Sequence, residues 1–237
     1  VDFEPMVITG ERTVPGIWHE NYWFRRHQVV YAALTDAVAG RRVLEAGCGE
    51  GYGASMLAEH AASVCALDYD AYTVEHVGGS YPALDVVRAN LVSLPFADAS
   101  FDTVVSLQTV EHLWDQDAFV AECVRVLRPG GSLTLSTPNT LTFPPGNPYH
   151  PHELTPDELR ALVSRGATVT SMVGLRHGPA LATWEAEHGS IVDAQLASDY
   201  DVWPAHVRER VRAVTCADFA LERPSDDCLD LVVTATA

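Results

Sequence analysis

The chain has 237 residues, with 32 acidic side chains against 15 cationic ones and a formal net charge of −17. That length suffices for one domain with a full core and no metal or disulfide staple. The charge argues against a nucleic-acid partner, which needs a basic face. No stretch is apolar for long enough to span a membrane, and residues 1–20 lack the layout of a signal peptide.

Residues 1–20 contain Pro5, Gly10, Pro15 and Gly16 and read as a loose arm. A helical pattern rich in aromatic and basic residues runs from Asn21 to Ala39, with Tyr22, Trp23, Phe24, Arg25, Arg26 and His27 at its start. The spacing then predicts a strand at 42–46, a helix at about 53–61, a strand at 63–68, a helix near 71–78 and a short strand near 85–89. A strand apolar inside follows at 102–107, as a strand buried on both faces requires. A helix at 115–127 closes on Arg128-Pro129-Gly130-Gly131, a strong turn, before a strand at 132–137. After a proline-rich loop, Thr155-Pro156-Asp157-Glu158 carries the signals of a helix start. Strands are expected at about 167–173 and 229–236, and the long connection 178–226 reads as a cover on the acceptor side. Alternating strands and helices predict an α/β fold: a seven-stranded, mostly parallel sheet with helices on both faces. The whole of 1–237 is expected to be one domain: an arm and covering helix (1–40), a cofactor-binding core (41–140) and an acceptor-side remainder (141–237).

The most informative run is Val43-Leu44-Glu45-Ala46-Gly47-Cys48-Gly49-Glu50-Gly51-Tyr52-Gly53. A strand ends there in alternating glycines and a helix begins, so bare backbone N–H groups face a ligand. The dinucleotide pattern fails from Gly47 but passes in its looser form from Gly49, so glycine spacing leaves NAD open. Glu45 favours a cofactor that brings an ammonium group to the turn, as S-adenosylmethionine does. Asp68 closes the second strand, where a carboxylate can accept ribose hydroxyls. Asn90 and Leu91 stand where an adenine edge can be read, and Tyr69 where it can be stacked; a turn asparagine and a sheet-end cover explain these residues as well.

Five motifs in register across about 41–140 resemble the class I S-adenosylmethionine-dependent methyltransferases. They are the glycine run, Ala66-Leu67-Asp68-Tyr69-Asp70, Asn90-Leu91-Val92-Ser93-Leu94-Pro95-Phe96, the stretch from Phe101 to Leu113, and Arg125-Val126-Leu127-Arg128-Pro129-Gly130-Gly131. The resemblance implies a Rossmann-like fold, the methionine moiety on Gly47, Gly49 and Gly51, ribose on Asp68, adenine on Asn90 and Leu91, and Gln108 beside the sulfonium. The flanks Glu11-Arg12-Thr13-Val14-Pro15, Asn21 to His27, Ser136-Thr137-Pro138-Asn139 and Asn147 to Thr155 resemble actinobacterial sugar O-methyltransferases, including the type that 1-O-methylates methylmannose polysaccharides. This implies a sugar or oligosaccharide acceptor in polysaccharide biosynthesis; a small-molecule or quinone-like acceptor, or cofactor binding without catalysis, are the alternatives.

For O-methyl transfer a base near neutrality is useful, and Glu111-His112 follows the fourth strand at the edge where ligands bind. His150 and His152, two apart on an extended loop, are the next candidates, although they should point to opposite sides. Glu111, His112 and His152 could also hold a divalent ion such as Mg2+; packing against the cofactor and loop capping compete with these roles. Tyr22 and Arg26 are candidates for covering the cofactor and pairing with its carboxylate. His177 and Trp184 are candidates for lining an acceptor site. The five cysteines form no C-x-x-C pair, so reduced thiols in a cytoplasmic protein are expected. A homodimer is compatible with all of this.

Overall fold

The computed structural model describes residues 12–237. Glu11 and the first ten residues of the expected arm lie outside the described residues. In chain order the elements are α1 (Asn21–Val38), β1 (Arg42–Ala46), α2 (Tyr52–Ala58), β2 (Ser63–Asp68), α3 (Ala71–Ser80), β3 (Asp85–Arg88), β4 (Phe101–Leu107), α4 (Gln116–Val126), β5 (Leu127–Pro138), α5 (Pro156–Ser164), β6 (Thr168–His177), α6 (Pro179–His188), α7 (Ile191–Leu196), α8 (Ala205–Ala213), β7 (Phe219–Glu222) and β8 (Asp230–Thr236). Between β4 and α4 a short 3-10 turn covers Val110–His112.

The sheet has eight strands in the order β3-β2-β1-β4-β5-β8-β6-β7. Neighbours from β3 to β5 are parallel. β8 runs antiparallel to both β5 and β6, and β7 antiparallel to β6. Six strands therefore share one direction, and the sheet is mostly parallel, as expected. The count of seven is corrected to eight: Phe219–Glu222 pairs on the outer edge of β6, inside the stretch expected to be a cover. The expected strand at 167–173 also continues to His177, because that edge partner extends the ladder.

Helix boundaries follow side-chain caps. Asp70 accepts from the Thr73 N–H at 3.3 Å, Asp115 from Ala118 at 2.9 Å, and Thr155 forms a capping box with Glu158 behind Pro156. Each such cap is worth about 1 kcal/mol. Apolar β1 and β4 are buried on both faces, so separate cores form above and below them. A third core joins Tyr22 of α1 to Leu181, Ile191, Trp203 and Val207, under the three helices inserted between β6 and β7. Those helices close the carboxyl end of β6, beside the edge of the sheet where β1 and β4 deliver their loops. Among the described residues no helix is long and apolar enough to cross a membrane.

Candidate active site

The glycine turn after β1 forms one wall of a narrow cleft of about 60 Å³, lined also by Arg12, Thr13, Tyr31, Leu107 and Gln108. Gly47 has φ +85°, and a Cβ there would sit 2.5 Å from the Thr109 side chain. Gly49 has φ +51° and nothing within 4 Å of its absent Cβ, so open space lies over bare backbone. Its N–H donates to Asp68 Oδ2 at 3.0 Å, while Oδ1 of the same carboxylate accepts from the Asp70 N–H. Gly51 faces Val77 and Tyr81 rather than the cleft, so its role is to let α2 and α3 approach. Gln108 holds a left-handed φ of +52°, rare for a residue with a Cβ, and its side-chain amide donates to Ser136 Oγ at 3.1 Å.

Glu45 lies fully enclosed beneath this turn, and one of its oxygens accepts from the Tyr31 hydroxyl at 2.5 Å. Burial pushes its carboxyl up to about 8. Glu45 is not in the wall of the cleft, whereas Tyr31, whose hydroxyl holds its carboxylate, is. Tyr69 is 65 % exposed at the end of β2. Asn90 is exposed, and its side-chain oxygen accepts from the Val92 N–H at 3.1 Å, a turn-forming contact; Leu91 is buried. These residues form an open shelf beside Asp68 rather than a closed pocket.

Two expected cofactor residues are engaged elsewhere. Arg26 donates bidentately to Asp230 at 2.6 and 2.7 Å and to the Leu229 carbonyl at 3.1 Å. Burial works against its charge, but Asp230 more than restores it, and its pKa is raised. Tyr22 is fully buried, and its hydroxyl donates to His177 Nε2 at 2.7 Å, because His177 gives its Nδ1 proton to Glu185 at 2.7 Å. Neither side chain is free to clasp a ligand carboxylate in the glycine cleft. Arg12, noted in the sequence only within a flanking motif and not as a cofactor residue, does line that cleft and pairs with Asp70 at 3.3 Å.

The turn after β4 presents Glu111 and His112 to His150 from the proline-rich loop. One donor atom from each lies within 4.8 Å of the others. The His112 and His150 rings meet edge to face, with centroids 4.8 Å apart. His112 Nδ1 donates to the Tyr149 carbonyl at 3.1 Å, which turns Nε2 into the proton-accepting or metal-binding nitrogen. His150 Nδ1 donates to Glu153 at 2.8 Å. Burial pushes the Glu111 carboxyl up to about 8, opposed by its own backbone N–H and by His150. Its Oε2 is buried without a hydrogen-bond partner. The group contains His150 where His152 was expected: His152 is exposed, and its carbonyl accepts from Gln116 at 2.8 Å.

Phe143 packs on His150 with centroids 5.5 Å apart, and it also lines a larger cavity of about 360 Å³. Its wall mixes charged side chains (Arg26, Arg176, His177, Glu185, Asp193 and Asp227) with apolar ones such as Phe143, Val192 and Leu229. Arg176 pairs with Asp227 at 2.6 Å. Of the two candidates for lining an acceptor site, His177 is in this wall and Trp184 is not; Trp184 stacks on His188. The inserted helices α6 and α7 supply Glu185 and Asp193 to this wall. All five cysteines are free, and burial pushes the Cys48 thiol in the glycine turn upward, leaving it inert.

The family described as "Methyltransferase domain" matches residues 44–135. A probable S-adenosylmethionine-dependent methyltransferase of Mycobacterium tuberculosis is 50 % identical over 244 residues, covering 97 % of this chain and 89 % of that protein. A ubiquinone biosynthesis O-methyltransferase of Chelativorans is 30 % identical over 181 residues, covering 68 % of this chain and 72 % of that one. Among solved structures, an S-adenosylmethionine-dependent methyltransferase from Mesorhizobium loti superposes with a TM-score of 0.62 at 17 % identity, over 90 % of this chain and 98 % of that one, a likeness of fold.

Proposed function

The chain belongs to the S-adenosylmethionine-dependent methyltransferases, and from that premise we propose that it methylates a hydroxyl oxygen of a sugar or oligosaccharide, a mannoside in polysaccharide biosynthesis being the model acceptor. S-adenosylmethionine supplies an electrophilic methyl group on a sulfonium. The residues present suit that group: Gly49 leaves space over its backbone, Asp68 offers a carboxylate beside it, and Gln108 reaches the cleft from β4. Arg12, in place of Arg26, is the cation that would meet the methionine carboxylate.

The observation that carries the sugar reading is the polar cavity behind Phe143, adjoining Glu111, His112 and His150. Paired cations and carboxylates in one wall give many fixed donors and acceptors and little net charge, which suits a neutral polyol. Glu111 or His112 would take the hydroxyl proton as the new O–C bond forms, and the cleft and cavity walls would hold oxygen, methyl and sulfur in line. The same three side chains would fit a divalent ion, which when bound would lower the acceptor's pKa. Two imidazoles and one carboxylate are softer than the oxygen shell Mg2+ prefers, so Mn2+ or Zn2+ suits the set better. The free cysteines suit a reducing cytoplasm.

A quinol or other small phenolic acceptor is the second reading, favoured by the ubiquinone-pathway relative. Labelled methyl transfer to manno- and gluco-oligosaccharides, free or partly methylated, separates the two. Transfer to one sugar series is expected; transfer only to catechols or quinols overturns it. Loss of transfer in EDTA, restored by Mn2+ or Zn2+, assigns the cluster to a metal.

Gly47→Ala tests the cleft itself. With the added methyl 2.5 Å from Thr109 and φ at +85°, strain of ~1–3 kcal/mol is expected to displace the turn. Calorimetry should find S-adenosylhomocysteine binding at least about tenfold weaker. Unchanged affinity would separate the turn from the cofactor.

A further inference from the structure

Two loops beside the reactive cluster carry aromatic rings into solvent. Trp114 is 90 % exposed and Tyr149 57 % exposed. Both are tied to the cluster. Trp114 follows His112 by two residues, and the carbonyl that receives the His112 Nδ1 proton is that of Tyr149. The Gln116 side-chain amide then bridges the Val110 carbonyl at 3.0 Å and the His152 carbonyl at 2.8 Å. Segments 110–116 and 149–152 are therefore laced together at two points, with Trp114 between them. Trp114 and Tyr149 thus stand on the two loops that carry His112 and His150, while Phe143, packed on His150, lines the polar cavity.

The chemistry of these loops selects among occupants. Segments 110–116 and 141–152 contain no lysine or arginine, and the neighbouring Arg165 is paired with Asp117, so a phosphate or anionic lipid headgroup finds no uncommitted cation on these loops. Asp115 is committed to the Ala118 N–H and Asp117 to Arg165, so neither carboxylate is left to hold a cationic ligand. An uncharged, flat group with an apolar face remains, and the C–H face of a pyranose is one.

We propose that Trp114 and Tyr149 form an aromatic rim that stacks on hexopyranose rings of an acceptor chain outside the cavity, so that the protein selects oligosaccharides over single sugars. This rests on the sugar reading above and adds how chain length is recognised. The reacting ring is held by the cavity and the cluster, and the rim holds its neighbours.

The test uses manno- and gluco-oligosaccharides from the monosaccharide to the hexasaccharide, with wild type, Trp114→Ala, Trp114→Phe and Tyr149→Ala. Binding is followed by calorimetry with S-adenosylhomocysteine present, and methyl transfer is followed separately. Wild-type affinity is expected to rise with chain length. Trp114→Ala should weaken the longest acceptor by about fivefold to tenfold and the shortest by less than about twofold, with Trp114→Phe retaining most of the gain. Cofactor affinity should not move. An equal loss at every length, or none, overturns the rim, as would a Trp114→Ala defect confined to neutral lipid vesicles or to self-association. If length-dependent binding is lost in Trp114→Ala while no sugar accepts methyl, the rim stands and the sugar-acceptor reading falls. If sugars are methylated with one length profile in all four proteins, the reading stands and the rim falls. If sugars neither bind nor react, both fall.

Discussion

Glu111→Gln is expected to lower kcat by ~10²–10⁴-fold while S-adenosylhomocysteine affinity stays within about twofold of wild type. The carboxyl is enclosed, one of its oxygens has no partner, and its donor atom lies within 4.8 Å of those of His112 and His150. With its pKa pushed to about 8 by burial, it is protonated in most molecules at neutrality. In metal-free protein the wild-type rate should therefore climb with pH through about 8, and the glutamine variant should lose that limb.

Stability moves the other way. A carboxyl whose pKa is raised on folding binds its proton more tightly in the native state. Stability is then full below the unfolded value near 4.5 and declines as pH rises through the folded value of about 8. Glutamine removes that decline, so Glu111→Gln should melt higher than wild type at pH 9 and near it at pH 5. A variant with wild-type kcat and a lower Tm at pH 9 would leave Glu111 as a packing residue, with His112 or His150 as the base.

The glycine run was legible because its causes are local: an apolar strand, then residues able to take φ of +85° and +51° within three positions. The same holds for the capping box at Thr155 and for Glu111-His112, whose place at the strand end follows from chain order. Phe219–Glu222 was not legible as a strand, since four residues at a sheet edge owe their ladder to β6 rather than to any pattern of their own. The choice between His150 and His152 was equally hidden. Alternation says that one faces the cluster, and contacts to Glu153 and Asn147 settle which. Arg12 reaches the cleft from a segment with no periodic signal. Tyr22 and Arg26 were read as cofactor residues because helix position could not reveal partners 155 and 204 residues away.

That long-range pairing makes Arg26 a test of stability rather than of cofactor binding. Arg26→Ala leaves Asp230 almost wholly buried, with its partner gone from both oxygens. Removing one member of a buried pair costs about 3–5 kcal/mol, because the remaining charge loses its compensation without regaining water. For a chain of this size that lowers Tm by roughly 6–20 °C. The damage should spread to the cavity, since Arg26 also lies beside Tyr22, whose hydroxyl holds His177 in place against Glu185. Replacing both partners with apolar residues of similar volume, Arg26→Met with Asp230→Leu, should recover much of the lost Tm, because the penalty lies in the orphaned charge and not in the missing attraction. Differential scanning calorimetry without cofactor reads the first effect, and calorimetric titration with S-adenosylhomocysteine reads the alternative. If Arg26→Ala melts like wild type but binds S-adenosylhomocysteine more than about tenfold weaker, the arginine leaves Asp230 for the methionine carboxylate when the cofactor arrives. The bidentate geometry, the third bond to the Leu229 carbonyl and the burial of both groups oppose such an exchange. A guanidinium held by three acceptors would have to break all three to make two.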